Sequence, residues 1–230
     1  MHPNSIYRHQ SEQAALKLAA GRGFGVVTAQ LETLFGAHVP FVVEGRALQL
    51  HLHRGNLLAK AAAANPVSVM MIVSLCDAYV SPQWYDLGPD QVPTWIYGAV
   101  HIHGTLRAMD DGMLEPLLIK LSSEFERRLA PKPEWRLDKV DDKAKQALMR
   151  AIQPFELTIT HVQATDKFAQ TKPGDALESL AKALPSSFGA NVDQAIACVQ
   201  HHAGLRSQES QGFQVSQGSQ NSQNSQGHIS

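Results

Sequence analysis

Hydrophobic and polar residues alternate along the first quarter of the chain with the period of two that β-strands require. The cleanest case is Ala47–His53, where three leucines alternate with a glutamine and two histidines. Similar runs at Phe24–Ala29 and Ala37–Val43 precede it, and Glu44-Gly45 marks a turn before the third run. One face of such strands packs while the other stays polar, as in a small barrel. We therefore predict three consecutive strands in this region.

The pattern then changes to a short helix and returns to strands. Asn56 is a predicted N-cap for a helix over Leu57–Ala64, which Asn65-Pro66 ends. Further strands are predicted where β-branched or alternating residues follow: Val67–Val73, a long strand that ends near Ala108, and Phe155–Val162. The chain is thus expected to be mainly β with helical additions (α+β).

Helical periodicity fills much of the remaining sequence. The predicted helices are Glu12–Ala20, Asp110–Leu129, Asp141–Ile152 and two short helices within 174–202. From Arg206 onward the chain is almost entirely Ser, Gln, Asn and Gly, a composition that cannot bury enough apolar surface to fold. We predict a barrel domain over residues 1–170, a helical segment over 171–205 and a disordered tail over 206–230.

The composition restricts the possible functions. The 230 residues are 43% hydrophobic and 18% charged, which suits a globular body. The net charge is −1 and no stretch is strongly basic, so direct DNA binding is doubtful. The apolar runs are too short to cross a bilayer and no signal pattern opens the chain, so we expect a cytoplasmic protein without membrane contact. Cys76 and Cys198 lack metal-ligand spacing and are expected to be packed thiols.

The aromatic residues concentrate between residues 79 and 104, which contain two of the three tryptophans and three of the four tyrosines. Trp and Tyr combine a large apolar face with a polar tip, which suits a pocket for a flat ligand with polar edges. An aromatic hairpin is more often core packing or an oligomer interface, and the residues alone leave both explanations open.

The order of residues in this stretch resembles the signature of the PaiB-type negative transcriptional regulators. The matching segments are Tyr79-Val80-Ser81-Pro82-Gln83-Trp84-Tyr85 and Val92-Pro93-Thr94-Trp95-Ile96-Tyr97, with Val100-His101 after them. That family belongs to the FMN-binding split β-barrel superfamily, in which pyridoxamine-phosphate oxidase is a distant relative. The resemblance covers roughly residues 1 to 170. It implies a split β-barrel that binds FMN between the protomers of a homodimer.

The resemblance also implies a phosphate site after the third strand. His51, Arg54 and Asn56 match the family pattern His-x-Ala-Arg-x-Asn, with His53 in place of the alanine. Lys60 follows one helical turn later as a possible second cation. A helix N-terminus presents free N–H groups and a positive dipole end to a phosphate, whereas ordinary capping with a solvated Arg54 is the alternative.

The resemblance places the flavin ring among the aromatic residues. Ser81, Thr94 and Trp95 are expected near the ring and the ribityl chain, with Trp84 and Tyr97 as walls from either protomer. Further departures from the family pattern are Leu57, where a proline often follows the Asn, and Ile96, where the family usually has Asn. Residues 169–173, which follow a matching Lys167-Phe168, also depart from it. Loss of an amide hydrogen bond at the ring would cost about 0.5 to 1.5 kcal/mol.

Three functions remain open at this point. The first is a flavin-dependent regulatory or redox-sensing protein. The second is an FMN-dependent oxidoreductase for a small substrate, with His38 and His101 as candidate acid–base groups but no assigned catalytic residue. The third is a cofactor-free or haem-binding barrel. His51-x-His53 and His101-x-His103 could chelate a metal from one strand face, but no acidic ligand follows the first pair, so no metal site is predicted.

Overall fold

The computed structural model describes residues 2–8 and 11–205, and the predicted tail over 206–230 lies outside them. Six strands form a closed barrel with the order β1-β2-β3-β6-β5-β4. Their bounds are β1 Phe24–Gln30, β2 Leu34–Glu44, β3 Ala47–His53, β4 Val67–Val80, β5 Thr94–Ala108 and β6 Ile152–Lys167. The predicted mainly β split barrel with helical additions is confirmed.

Within the described residues, six α-helices join and flank these strands. They are α1 Glu12–Arg22, α2 Leu57–Ala64, α3 Leu114–Glu126, α4 Asp142–Met149, α5 Gly174–Ala183 and α6 at 192–205. Short 3₁₀ turns extend α3 at both ends, which accounts for the single longer helix predicted there. The last strand is longer than predicted at both ends. Residues 152–154 pair with β3, so the helix predicted over Asp141–Ile152 ends earlier, at Met149.

The chain divides into two compact units, each built from two separate segments. The first unit contains residues 1–75 and 99–165, and the second contains residues 76–98 with the described residues from 166 onward. Strands β4, β5 and β6 each contribute residues to both units. The predicted boundary at residue 170 stays a prediction.

The core of the first unit comes from the alternating strands. In β3 the leucines Leu48, Leu50 and Leu52 are buried, whereas Gln49 and His51 on the other face are only half-buried. The largest fully buried side chains facing them from β2 and β6 include Phe41, Phe155 and Leu157. The alternation in the sequence therefore fixes which face of β3 remains available for ligands.

The second unit packs α5 and α6 through small and aliphatic residues. The α5 residues Ala176, Leu177 and Leu180 are buried, as are Ala195 and Val199 on α6. No helix in the described part of the chain is long and apolar enough to cross a membrane.

Candidate functional site

Asn56 caps α2, as predicted, and this determines what the helix N-terminus can offer. Its Oδ1 accepts hydrogen bonds from the N–H groups of Leu58 at 2.9 Å and Ala59 at 3.4 Å. Its own N–H donates to His53 O at 2.9 Å. Two first-turn donors are therefore occupied, so the site depends less on free helix N–H groups than the sequence suggested. The Nδ2 amide of Asn56 remains for a ligand.

His53, which replaces the alanine of the family pattern, closes the turn between β3 and α2. Its Nδ1 accepts a hydrogen bond from the N–H of Gly55 at 3.0 Å. The side chain is exposed, and the ring serves the turn. This departure therefore leaves the neighbouring positions His51, Arg54 and Asn56 in place.

His51 carries a polar atom that nothing satisfies within the described residues. Its Nδ1 is buried and has no hydrogen-bond partner there. Burial lowers the pKa of the imidazole, so His51 is mainly neutral near pH 7. A buried polar atom without a partner costs about 1 to 3 kcal/mol, so a ligand that supplies the missing hydrogen bond would recover that cost.

Arg54 is held in place by an acidic partner. Its Nη2 lies 2.7 Å from Asp111 Oδ1, and its backbone N–H donates to Ala151 O at 2.8 Å. The Arg54 side chain is still 39% exposed, so ordinary capping with a surface arginine stays open as the alternative. Lys60 is exposed one turn into α2, and its role as a second cation stays a prediction. Arginine, lysine, imidazole and amide donors together form a set that fits a phosphate group.

The residues predicted near the flavin ring begin with a short 3₁₀ turn over Pro82–Tyr85. Ser81 precedes this turn, and its hydroxyl makes no capping hydrogen bond. Trp84 donates its backbone N–H to Ser81 O at 3.1 Å, and both side chains are half-buried. Tyr85, by contrast, is buried. Ser81 and Trp84 are therefore the members of this turn that a ligand could reach.

The start of β5 presents one aromatic face and one buried face. Trp95 is 43% exposed and Tyr97 is half-buried, whereas Ile96 between them is fully buried. Successive side chains of a strand point to opposite faces, so position 96 does not share the face of Trp95 and Tyr97. An amide at position 96 would point into the buried side. The expected loss of a ring hydrogen bond through Ile96 is therefore not supported by this arrangement.

Trp95 belongs to a cluster of three aromatic rings in the second unit. The rings of Tyr79 and Phe188 are stacked with centroids 5.3 Å apart. Trp95 meets both edge-on, at 5.9 Å from Tyr79 and 5.5 Å from Phe188. Sequence reasoning missed Phe188, because it comes from a turn 93 positions beyond Trp95 and no local pattern links the two.

Thr94 also has a partner that the sequence did not indicate. Its Oγ1 accepts a hydrogen bond from Lys167 Nζ at 2.8 Å. Lys167 belongs to the Lys167-Phe168 match to the family pattern. That match is the one sequence feature that could have pointed to Lys167 as a partner of Thr94. The predicted residues thus form two groups. His51, Arg54, Asn56 and Lys60 lie in the first unit, and Ser81, Trp84, Thr94, Trp95 and Tyr97 lie in the second.

The remaining histidines do not assemble a metal site in the described ranges 2–8 and 11–205. There, no group of three or more His, Cys, Asp or Glu side chains could hold a metal ion. His103 on β5 stacks on His161 with centroids 6.0 Å apart. Burial lowers the pKa of His101, with smaller contributions from the N-terminal amino group and His103. His38 stacks on Phe24 at 6.2 Å.

A family model described as "Putative FMN-binding domain" matches residues 1–161. The chain belongs to this FMN-binding family. A curated relative is the protease synthase and sporulation protein PAI 2 of Bacillus subtilis, which is 28% identical over 118 residues. The match covers 51% of this chain and 55% of the relative, so this chain spans about half of that protein. The predicted resemblance to the PaiB-type proteins and the predicted FMN-binding class are both confirmed.

Solved structures share the fold. The FAD and haem binding protein of Mycobacterium smegmatis is 15% identical, with 70% of this chain and 73% of that chain covered and a TM-score of 0.52. The flavocytochrome Anf3 of Azotobacter vinelandii is 13% identical, with 73% of this chain and 72% of that chain covered and a TM-score of 0.51. At these identities the likeness concerns the fold alone.

Proposed function

We propose that this protein binds FMN as a homodimer and acts as a flavin-dependent regulatory or redox-sensing protein. The observation that carries the proposal is the buried Nδ1 of His51, which has no partner among the described residues and lies three positions before Arg54, whose guanidinium pairs with Asp111. Both groups lie where β3 passes into α2, in a chain of the FMN-binding family. FMN would supply the redox chemistry, and the protein would bind and orient it.

The phosphate of FMN is assigned to the first unit. Arg54 offers two parallel N–H donors, and Asn56 offers its Nδ2 amide. A nearby phosphate dianion raises the pKa of His51, so the imidazole can take up a proton and donate to it. Lys60 adds a second positive charge from α2. This donor set would bind the phosphate and neutralise its charge.

The aromatic residues of the second unit offer a separate surface that suits a flat ring. Trp95 and Tyr97 share one face of β5, and the hydroxyl residues Ser81 and Thr94 belong to the same unit. Several large apolar side chains of this unit are exposed, including Val92 at 74% and Phe188 at 62%. A second protomer that covers such residues would bury both faces of a flat ring between rigid walls, which supports the homodimer.

A regulatory role has better support than a specific reaction. The Bacillus subtilis relative is named a protease synthase and sporulation protein. The net charge of −1 argues that any effect on transcription passes through a signal or another protein instead of tight DNA contact. A cytoplasmic location is part of the same proposal.

The deciding experiment is an absorption spectrum after incubation with FMN and gel filtration, with light scattering to measure the mass. Flavin bands that co-elute with a species of twice the chain mass, at one FMN per chain, are the expected result. A colourless protein would overturn the proposal, and flavin on a monomer would overturn the dimer. Steady oxidation of NADH or NADPH by the FMN-loaded protein would make it an oxidoreductase instead.

A further inference from the structure

The two cysteines of the chain meet in the second unit. Cys76 is on β4 and Cys198 is on α6, and their thiol groups are joined by a hydrogen bond. The Cys76 thiol also accepts a backbone hydrogen bond from Gly98 on β5. The sequence contains no other cysteine. A disulfide within one chain can therefore only join these two residues.

The segment that leads into α6 is fixed along β4. Phe188 O accepts a hydrogen bond from Tyr79 N–H at 3.1 Å, and Ala190 O accepts one from Asp77 N–H at 2.8 Å. The N–H of Ala190 donates to Asp77 Oδ1 at 2.9 Å. Asp77 directly follows Cys76 in the chain, so these bonds attach the start of α6 to the strand that carries Cys76.

Gly189 allows this segment to approach β4 closely. Its φ is +152°, and a Cβ atom there would collide with the backbone oxygen of Asp77. Farther along α6, Ala195 and Val199 are fully buried, and Cys198 is the neighbour of Val199. The contact between the two thiols is therefore held by backbone hydrogen bonds and by the packing of α6.

The two thiols are not equivalent. Cys76 is 2% exposed, whereas Cys198 is half-buried and can meet a small reagent. The hydrogen bond to Cys198, together with burial, raises the pKa of Cys76. Accepting that bond lowers the pKa of Cys198, and burial and the Asp166 carboxylate oppose this shift only in part. Because the thiolate is the nucleophile, Cys198 is the thiol that reacts first.

We propose that Cys198 and Cys76 are a reversible thiol–disulfide pair that reacts with hydrogen peroxide, in which Cys198 is the residue oxidised first and Cys76 is the resolving thiol. A reachable thiol next to a second thiol is the arrangement of a peroxide-sensitive site. Two thiols in contact need only a small side-chain movement to reach the bonding geometry of a disulfide. This thiol chemistry is separate from flavin binding, so the inference does not rest on the proposed FMN function.

The oxidation has two steps. The Cys198 thiolate attacks one peroxide oxygen, the O–O bond breaks, and the leaving hydroxide takes up a proton to become water, so Cys198 becomes a sulfenic acid. The Cys76 sulfur then attacks the Cys198 sulfur, the S–O bond breaks, and hydroxide leaves as water with the Cys76 proton. In total the two thiols are oxidised to a disulfide and the peroxide is reduced to water.

The disulfide joins β4 to α6 by a covalent bond. A cross-link restricts the unfolded chain, so oxidised protein should melt at a higher temperature than reduced protein. The pair thereby records exposure to peroxide as a change in how firmly α6 is attached to β4.

The test uses the full-length protein, which is reduced with dithiothreitol, desalted and then treated with hydrogen peroxide in the folded state. After catalase has removed the peroxide, the protein is unfolded and labelled with N-ethylmaleimide. Reduced protein should carry a label on both cysteines by intact mass. Oxidised protein should carry none and should run as a single chain on a non-reducing denaturing gel. A second treatment with dithiothreitol should restore both labels.

Single variants test the order of the two steps. In Cys76→Ser the sulfenic acid at Cys198 has no resolving thiol, so dimedone should trap it there. In Cys198→Ser the buried Cys76 should keep its maleimide label after peroxide. Cys76→Ala replaces the serine variant if the buried hydroxyl prevents folding, and thermal unfolding shows which variant is folded.

Several results would overturn the proposal. Wild-type protein that keeps both labels after peroxide would show that the pair does not react. Disulfides that join two chains, or oxygen gained at Cys198 while Cys76 still takes the label, would exclude Cys76 as the resolving thiol. A dimedone adduct on Cys76 in Cys198→Ser, with none on Cys198 in Cys76→Ser, would contradict the assigned order. Since no FMN is added, none of these results bears on the proposed function.

Discussion

Arg54 and Asp111 form an ion pair 57 positions apart in the chain, with Nη2 of the arginine 2.7 Å from Oδ1 of the aspartate. The side chains are 39% and 66% exposed, so the pair contributes only about 0 to 1 kcal/mol to folding. Its main effect is on binding. Asp111 holds the guanidinium in one position and also competes with an incoming phosphate for it.

Arg54→Ala should weaken FMN binding about 10-fold to 100-fold, because a hydrogen bond to a charged group contributes about 1.5 to 3 kcal/mol. The melting temperature should change little, since the ion pair is exposed. Quenching of flavin fluorescence measures the affinity. The matched control is Arg46→Ala, which breaks another exposed ion pair of the first unit, with Glu12. An affinity that is the same in both variants would remove Arg54 from the site.

Asp111→Asn should tighten FMN binding roughly fivefold, about 1 kcal/mol, because it removes a competing anion from Arg54 and a like charge from the phosphate. Asp110→Asn is the matched control, since Asp110 is exposed on the adjacent position and makes no capping hydrogen bond. Both affinities come from the same titration at low salt. Weaker binding in Asp111→Asn would show that orientation of Arg54 matters more than competition.

His51→Leu should raise the stability of the FMN-free protein and weaken its binding of FMN. It removes the unsatisfied Nδ1, so the free energy of unfolding without FMN should rise by about 1 kcal/mol, as measured by urea denaturation. FMN affinity should fall at least tenfold. Gln49→Leu, on the same half-buried face of β3, is the control for added apolar surface. Unchanged affinity in His51→Leu would exclude His51 from the phosphate site.

The same variant should change the pH dependence of stability. The folded-state pKa of His51 is lowered by burial, so the unfolded chain takes up a proton first as the pH falls. The stabilising contribution is complete above the unfolded pKa of about 6.5 and is lost as the pH falls below it. His101 contributes in the same direction. Urea midpoints between pH 7 and pH 5 should therefore fall less steeply in His51→Leu than in the wild type.

Local sequence patterns were sufficient to predict the strand and the helix start that carry the candidate phosphate-binding residues. The alternation in β3 and the cap at Asn56 are properties of neighbouring residues, and both were predicted from the sequence. The pairing of Arg54 with Asp111 could not be predicted, because it depends on how a turn after β5 meets the turn after β3. The same holds for Thr94 and Lys167, which are 73 positions apart.

Burial also decided roles that residue type alone left open. Ile96 and Trp95 are neighbours in a matching motif, yet one is fully buried and the other is 43% exposed. The motif names both residues without stating which face each occupies. His53 looked like a disturbance of the phosphate site, but its ring nitrogen accepts a local backbone hydrogen bond instead.

Gly104 should be intolerant of any side chain, because a Cβ there would collide with the backbone oxygen of Thr158 on β6. Gly104→Ala should therefore lower the free energy of unfolding by about 1 to 3 kcal/mol, the usual cost of overpacking. Gly21→Ala is the control, since its Cβ would meet nothing within 4 Å and alanine favours the helix α1 by about 0.5 to 1 kcal/mol. Urea denaturation measures both. Equal stability of the two variants would contradict the close approach of β5 to β6.

Cys76 on β4 and Cys198 on α6 were expected to be packed thiols. In the structure their thiol groups form a hydrogen bond with each other. This bond and burial raise the pKa of Cys76, while accepting the bond lowers the pKa of Cys198. Because the thiolate is the nucleophile and Cys198 is also the less buried thiol, iodoacetamide should alkylate Cys198 first in the folded protein. Peptide mass mapping over time measures the order. Cys198→Ser should leave the folded protein nearly unlabelled until it is denatured, and equal labelling rates at both positions in the wild type would contradict the asymmetry of the pair.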